Sequence, residues 1–365
     1  MNSFYHSKYA YGRTRPKKQK SRGYRIIRNL LLLVLIGLLG FGYYIYRAMF
    51  NPNTWTPEGE PVSVYIYPGD DFGKVSRQMY SKGLIVNRQT FEWLANKKKY
   101  PDNIKPGHYL VKDEMSNNKL INLLRAGMQT PVNVVFHNIR FLPELAEKVS
   151  NQLLFDSSAL MKKIEDTSYI RQLGFDTLSI KTMFIPNTYE FYWTTSSAEF
   201  LERMKKEYDK FWSEERREKA KEIDFSPMEV FTLASIIEKE TNREDEMPTI
   251  AGVYINRLER GWRLQADPTL KFALKDFSIR RVLNKHKEIE SPYNTYKYRG
   301  LPPGPICLPS IASIEAVLNY EDHKYYYFVA KSDFSGYHSF SRTFNEHIQK
   351  AREYQEALNK KQIYN

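Results

Sequence analysis

The chain has 365 residues, 42% hydrophobic and 15% aromatic, which excludes a disordered polymer and allows two ordinary domains beside a membrane segment. Its formal net charge of +13 would by itself suggest a nucleic-acid partner. The distribution excludes that reading: residues 1–57 hold ten Lys or Arg and no Asp or Glu, so the remainder carries only 13 − 10 = +3, and no nucleic acid is expected among the partners.

The basic end precedes LLLLVLIGLLGFGYYI (30–45), which has no charge. Extended on both sides, the apolar run reaches about 20 residues, the length of a bilayer-spanning helix. Lysines and arginines lie before it and acidic residues only after it, so the positive-inside rule predicts a single-pass inner-membrane protein with a cytoplasmic N-terminus and the rest exported. A cleaved signal peptide is disfavoured, because aromatics and Arg47 stand where a small-residue cleavage site belongs. The expected divisions are a basic tail (1–25), a transmembrane helix (26–47), a polar linker (48–61), a small module (62–130) and a larger domain (131–365).

In the module, VSVYIYPGDD reads as a strand and turn, FGKVSRQMYSKGLI and RQTFEWLANKKK as helices, and HYLV as a strand. Ser116 caps a further helix that stops at Gly127. The larger domain opens with a strand in PVNVVFHNI and a helix in LPELAEKVSNQL. Residues 199–224 predict one charged amphipathic helix, an insertion whose buried stripe is Phe200, Met204, Phe211 and Trp212. The fold class expected from this order is α+β.

Ser226-Pro227, with Glu229 three residues on, opens a helix that ends in LASIIEKET (233–241). At 100° per residue, Val230, Ala234, Ile237 and Thr241 share a face. Glu238 and Glu240 flank it from opposite edges, and Lys239 points away. Either glutamate could be desolvated enough to hold a proton near neutral pH; a helix end with surface charges is the simpler alternative, and the wheel does not choose. LQADPT (264–269) adds Gln265 and Asp267, although Asp267 could merely cap the next helix. YNTY (293–296) adds Asn294 and Tyr296, and HSFSRTFNEH (338–347) adds two histidines. Neutral hydrogen-bonding groups beside aromatic rings suit a hydroxyl-rich ligand. Residues 291–310 hold too many prolines for a helix or central strand, and loops of that length are usually functional. YYYFVAK and HSF read as strands and TFNEHIQKAREYQEALNKK as a closing helix. Cys307 is the only cysteine and no HExxH or CxxC pair occurs, so neither a disulfide nor a metal or other cofactor is expected.

LASIIEKET, AGVYINRL (251–258), RLQADPT (263–269), YNTY, GLPPGPI (300–306) and HSFSRTFNEH, in this order and spacing, resemble the YceG-like, or MltG, family of membrane-bound endolytic murein transglycosylases. The resemblance implies a LysM-like module at 62–130 and a catalytic domain at 131–365. It implies Glu238 as the catalytic residue, and by motif position Gln265, Asp267, Asn294, Tyr296 and Glu240 as substrate-binding or supporting residues. The implied partners are peptidoglycan glycan strands, cut near the membrane, and peptidoglycan synthases. The implied reaction cleaves the bond between N-acetylmuramic acid and N-acetylglucosamine and closes a 1,6-anhydro ring. Asn187 stands where the family usually has Asp. Two alternatives remain at this level: a tethered glycan-binding scaffold, and a hydrolase that uses Glu240 or Asp267 as second carboxylate.

Overall fold

The computed structural model describes Gly12, residues 22–279 and residues 281–360; most of the expected basic tail lies outside the described residues. The chain divides into two compact units, residues 1–129 and 130–365.

The first unit begins with α1 (Arg22–Phe50). Its 29 residues rise about 43 Å at 1.5 Å each, Leu30, Leu33, Ile36 and Leu39 are exposed, and its length and apolar character suffice to cross a membrane. The helix extends past the expected end at 47. The polar stretch after it is not a free tether: Pro52 bridges to Ser116 and Thr54 to Ile85, and Asn53, Thr54 and Thr56 are buried. Asn117 explains the attachment. Its Nδ2 donates to the carbonyl of Ala48 at 2.9 Å and its Oδ1 accepts from Asn53 Nδ2 at 2.6 Å.

The module itself runs β1 (Val62–Ile66), α2 (Phe72–Ser81), α3 (Arg88–Lys97), β2 (Gly107–Val111) and α4 (Asn117–Ala126). β1 and β2 pair antiparallel with Val62 opposite Val111. The helices start where the sequence supplies N-caps, at Asp71, Asn87 and Ser116. Gly127, at φ +70°, closes α4 in the left-handed region that glycine tolerates without a Cβ clash. Val64, Ile66, Val75, Met79, Phe91 and Tyr109 form its core.

The second unit opens with β3 (Val132–Val135), followed by α5 (Leu142–Ser150), α6 (Ser157–Glu165) and α7 (Thr167–Gln172). β4 (Thr188–Phe191) then returns antiparallel to β3. The expected single helix at 199–224 is two, α8 (Ser197–Phe211) and α9 (Glu214–Glu222). Ser213 accepts from the Arg216 amide and starts α9 afresh, and the buried Trp212 sits in the break rather than on a continuous stripe.

α10 (Pro227–Glu240), α11 (Met247–Glu259), α12 (Asp267–Leu274), α13 (Asn284–Lys287) and α14 (Ile311–Leu318) follow, then the antiparallel pair β5 (Tyr327–Ala330) and β6 (His338–Ser341), and α15 (Phe344–Lys360). α10 is the axis of this unit. Every residue from Val230 to Ile237 is buried, because α9, α11, α12 and α14 all pack against it. The one-sided apolar face expected from the helical wheel is thus an all-round one, the mark of a core helix. Thr232 and Ser235 are tolerated inside because their hydroxyls donate to the carbonyls of Met228 and Thr232.

Candidate active site

The N-terminal end of α10 is fixed locally. Ser226 Oγ accepts from the Glu229 amide, and the Glu229 carboxylate accepts from the Ser226 amide at 2.8 Å. Its last turn carries Glu238, Lys239 and Glu240, all half-buried, and these three residues meet different partners.

The proline-rich segment 300–310 runs alongside α10. Ser235 Oγ accepts from the Ile306 amide at 3.0 Å, and the Cys307 thiol faces the Ser235 carbonyl at 3.4 Å. One turn later Glu238 Oε2 accepts three hydrogen bonds: from the Ser310 amide at 3.1 Å, from Ser310 Oγ at 2.7 Å and from Ser313 Oγ at 2.6 Å. Ser310 is also the N-cap of α14, so the short helix that packs on α10 brings its own capping group to the carboxylate. Glu238 Oε1 has no hydrogen-bond partner among the described residues. The helical wheel leaves open whether Glu238 is desolvated; the structure puts hydroxyl and amide donors there, on one oxygen only. Cys307 is buried, which pushes its thiol up to about 11, and a thiol held neutral is no nucleophile.

Glu240 occupies the opposite side of the helix. Its Oε1 accepts from the phenol of Tyr254 on α11 at 2.6 Å. Burial pushes this carboxyl up to about 7, with the Asp267 charge adding to the effect; the Tyr254 hydrogen bond and the charges of Lys271 and Arg257 act the other way. Asp267 does not cap α12 through its side chain; its Oδ1 accepts from Tyr296 at 2.5 Å. Burial and that hydrogen bond raise the Tyr296 phenol, and burial and the Glu240 charge raise that of Tyr254, so both stay protonated donors. Arg257, buried nearby, donates to the carbonyls of Tyr326 and Leu264 at 2.7 and 2.6 Å.

Thr295 joins the two motifs of this second cluster. Its carbonyl accepts from the Gln265 amide, and its hydroxyl accepts from the Ala266 amide and meets Thr269 Oγ1. Gln265 stands exposed at φ +54°, a left-handed conformation that costs a non-glycine residue about 1 kcal/mol. Asn294, expected to contact substrate, is buried and holds the loop instead. Its Nδ2 donates to the carbonyls of Lys287 and Ile289, and its Oδ1 accepts from the amides of Tyr296 and Lys297. An amide has two donor hydrogens and two acceptor sites, so nothing is left for a ligand.

The two histidines are structural as well. His338 Nδ1 bonds the buried Glu246 at 2.7 Å, and His347 stacks on Tyr327. Lys239, expected to point away, lines a cavity of about 210 Å³ with Arg140, Pro268, Lys271, Phe272, Phe277 and Ile306. Arg140 and Phe272 also line a larger cavity of about 440 Å³, so the two cavities adjoin. Sequence reasoning missed Tyr254, Arg257, Ser310 and Ser313. Ser310 carried a signal as an N-cap after a proline, but nothing local shows that its hydroxyl would also reach a glutamate.

A family model for the YceG-like family matches residues 64–353. The chain is 27% identical over 315 residues to an endolytic murein transglycosylase of Bacillus subtilis, covering 82% of this chain and 86% of that protein. It is 27% identical over 338 residues to one of Streptococcus pneumoniae, covering 84% of this chain and 60% of that longer protein. Among solved structures, a YceG-like protein of Listeria monocytogenes aligns with a TM-score of 0.54 at 28% identity, over 80% of this chain and 98% of that one.

Proposed function

The chain belongs to the YceG-like family, and on that premise we propose that it is a membrane-anchored endolytic murein transglycosylase with Glu238 as its one acid–base group. The supporting observation is the asymmetry of that carboxyl: three donors gather on Oε2 and Oε1 is left open. A proton carried on Oε1 passes to the glycosidic oxygen between N-acetylmuramic acid and N-acetylglucosamine. The negative charge that forms on Glu238 as the proton leaves falls on an oxygen already facing donors, so no reorganisation is required at that moment. The bond from that oxygen to the muramyl C1 breaks, the N-acetylglucosamine side leaves as a free hydroxyl, and positive charge grows at C1. The carboxylate then accepts the proton of the C6 hydroxyl of the same sugar, whose oxygen bonds to C1. The proton returns to Glu238, no water is consumed, and the product ends in 1,6-anhydro-N-acetylmuramic acid. One carboxylate suffices, where a hydrolase uses two.

The exposed Gln265 and the Asp267–Tyr296 pair serve in this reading to orient sugars. The first unit, with its strand–helix–helix–strand order, serves as a LysM-like glycan-holding module. α1 anchors the enzyme with its basic end in the cytoplasm, and peptidoglycan synthases supply the strands.

One observation favours a second reading. Glu240 is pushed up to about 7, in part by the charge of Asp267, and a carboxyl that keeps its proton near a second acid is the pattern of an acid–base pair. That pair would make the enzyme a muramidase that uses water. Mass spectrometry of products from uncrosslinked glycan strands separates the readings. Anhydro ends that vanish in Glu238→Gln and persist in Glu240→Gln support the transglycosylase; reducing ends lost in Glu240→Gln overturn it.

A further inference from the structure

The 440 Å³ cavity is walled by Leu142, Met161, Ile164 and Phe272 and carries two cations, Arg140 and Lys181. Neither cation is paired with a carboxylate among the described residues. The Arg140 guanidinium lies 4.2 Å from the Phe277 ring centroid. Lys181 Nζ donates to the carbonyl of Pro305 at 3.0 Å and lies 5.2 Å from the Phe272 ring, which leaves two of its three hydrogens unused. Glu144 is close enough to act on the Lys181 charge, but its Oε2 is held by the amides of Arg140 and Phe141 at the start of α5. The one carboxylate that lines the cavity, Glu165, is exposed. Burial pushes the Lys181 ammonium down to about 8, and the nearby Cys307 and Glu144 offset only part of that.

Two cations without a carboxylate partner among apolar walls do not suit a neutral sugar ring, which would leave both charges uncompensated. They suit a short apolar chain with free carboxylates. The cavity lies near the reaction site: Arg140 and Phe272 also line the smaller cavity bordered by Lys239, the neighbour of Glu238 in the chain.

We infer that this cavity is a subsite for the peptide that substitutes the muramyl sugar, with Arg140 and Lys181 binding a peptide carboxylate. The inference rests on the murein reading above. Peptide recognition at this site makes the enzyme select strands that still carry their peptides and pass over stripped ones.

The test compares kcat/KM of the full-length protein in detergent on uncrosslinked strands with their peptides and on the same strands stripped by an amidase. A charge-assisted hydrogen bond corresponds to a preference of about tenfold or more for the intact strands. In Lys181→Met and in Arg140→Gln the ratio falls towards one, and in the charge-keeping Lys181→Arg most of it remains. Calorimetry with the dipeptide L-alanyl-γ-D-glutamate and its diamide provides a readout without catalysis. The acid binds the Glu238→Gln protein and the diamide does not, and Lys181→Met abolishes the difference. Equal rates on both strands, or equal binding of acid and diamide, overturn the subsite. Selective binding of the acid with no cleavage of either strand sustains the subsite and overturns the transglycosylase reading.

Discussion

Tyr254 donates its phenolic hydrogen to Glu240 Oε1 at 2.6 Å, on the side of α10 away from the three donors that hold Glu238. Two carboxyls two residues apart thus live in separate environments: one is capped on a single oxygen by hydroxyls and an amide, the other accepts from a phenol near a second acid.

The Glu240 pKa ties the pH dependence of stability to this contact. Its folded value of about 7 lies above the ordinary 4.5, so between those values the unfolded chain releases a proton that the folded chain keeps. Its stabilising contribution is complete below about pH 4.5 and fades as pH rises through about 7, by roughly 3 kcal/mol. Urea unfolding followed by tryptophan fluorescence at pH 5 and pH 8 should show this fall in the wild type and a flatter profile in Glu240→Gln. An identical pH slope in both proteins contradicts the assignment.

Tyr254→Phe removes the hydrogen bond that favours the charged carboxylate. The Glu240 titration midpoint therefore moves up from about 7, and carbon-detected NMR of labelled glutamate reads it directly. A downward move would mean that Tyr254 does not hold Glu240 in solution.

Ser310→Ala and Ser313→Ala each remove one hydroxyl from Glu238 Oε2. A hydrogen bond to a charged group is worth about 1.5–3 kcal/mol, so kcat should drop about 10- to 100-fold in each, with KM changed far less. Both hydroxyls act on the same atom, so the double variant should fall short of the product of the single effects. Wild-type kcat in the double variant would remove the anchoring role.

Gly252→Ala sets two effects against each other. Alanine gains about 1 kcal/mol of helix propensity over glycine. A Cβ at this position would collide with the carbonyl oxygen of Glu321 and stand 2.9 Å from His323 Nε2, and overpacking against backbone costs about 1–3 kcal/mol or more. The clash is expected to win, with a net loss of about 1–2 kcal/mol in chemical denaturation. A stabilised variant would show that the 319–325 segment can move aside.

Asn117→Ala leaves the Ala48 carbonyl and the Asn53 amide without their buried partner, at a cost of about 1–3 kcal/mol. Limited proteolysis of the full chain in detergent should then cut within residues 51–56 faster than in the wild type. Unchanged cutting would mean that the two bridges at Pro52 and Thr54 suffice to hold this segment.

The sequence by itself determined what depends on neighbours along the chain. The apolar run of α1 follows from composition, the starts of α4 and α10 from Ser116 and Ser226, the turn at Gly127 from the missing Cβ, and the family from six ordered motifs. Local hydrogen bonds and backbone sterics carry this information, so it survives without a fold. Only the tertiary structure decided which oxygen of Glu238 is held, because Ser310 and Ser313 lie 72 and 75 positions away. It also decided that α10 is buried on every side, that Asn294 commits its amide to backbone, and that Glu240 is pushed towards neutral pH. A helical wheel shows which residues share a face. Desolvation and hydrogen-bond pairing depend on what packs against that face, and those partners come from α11, α12 and α14.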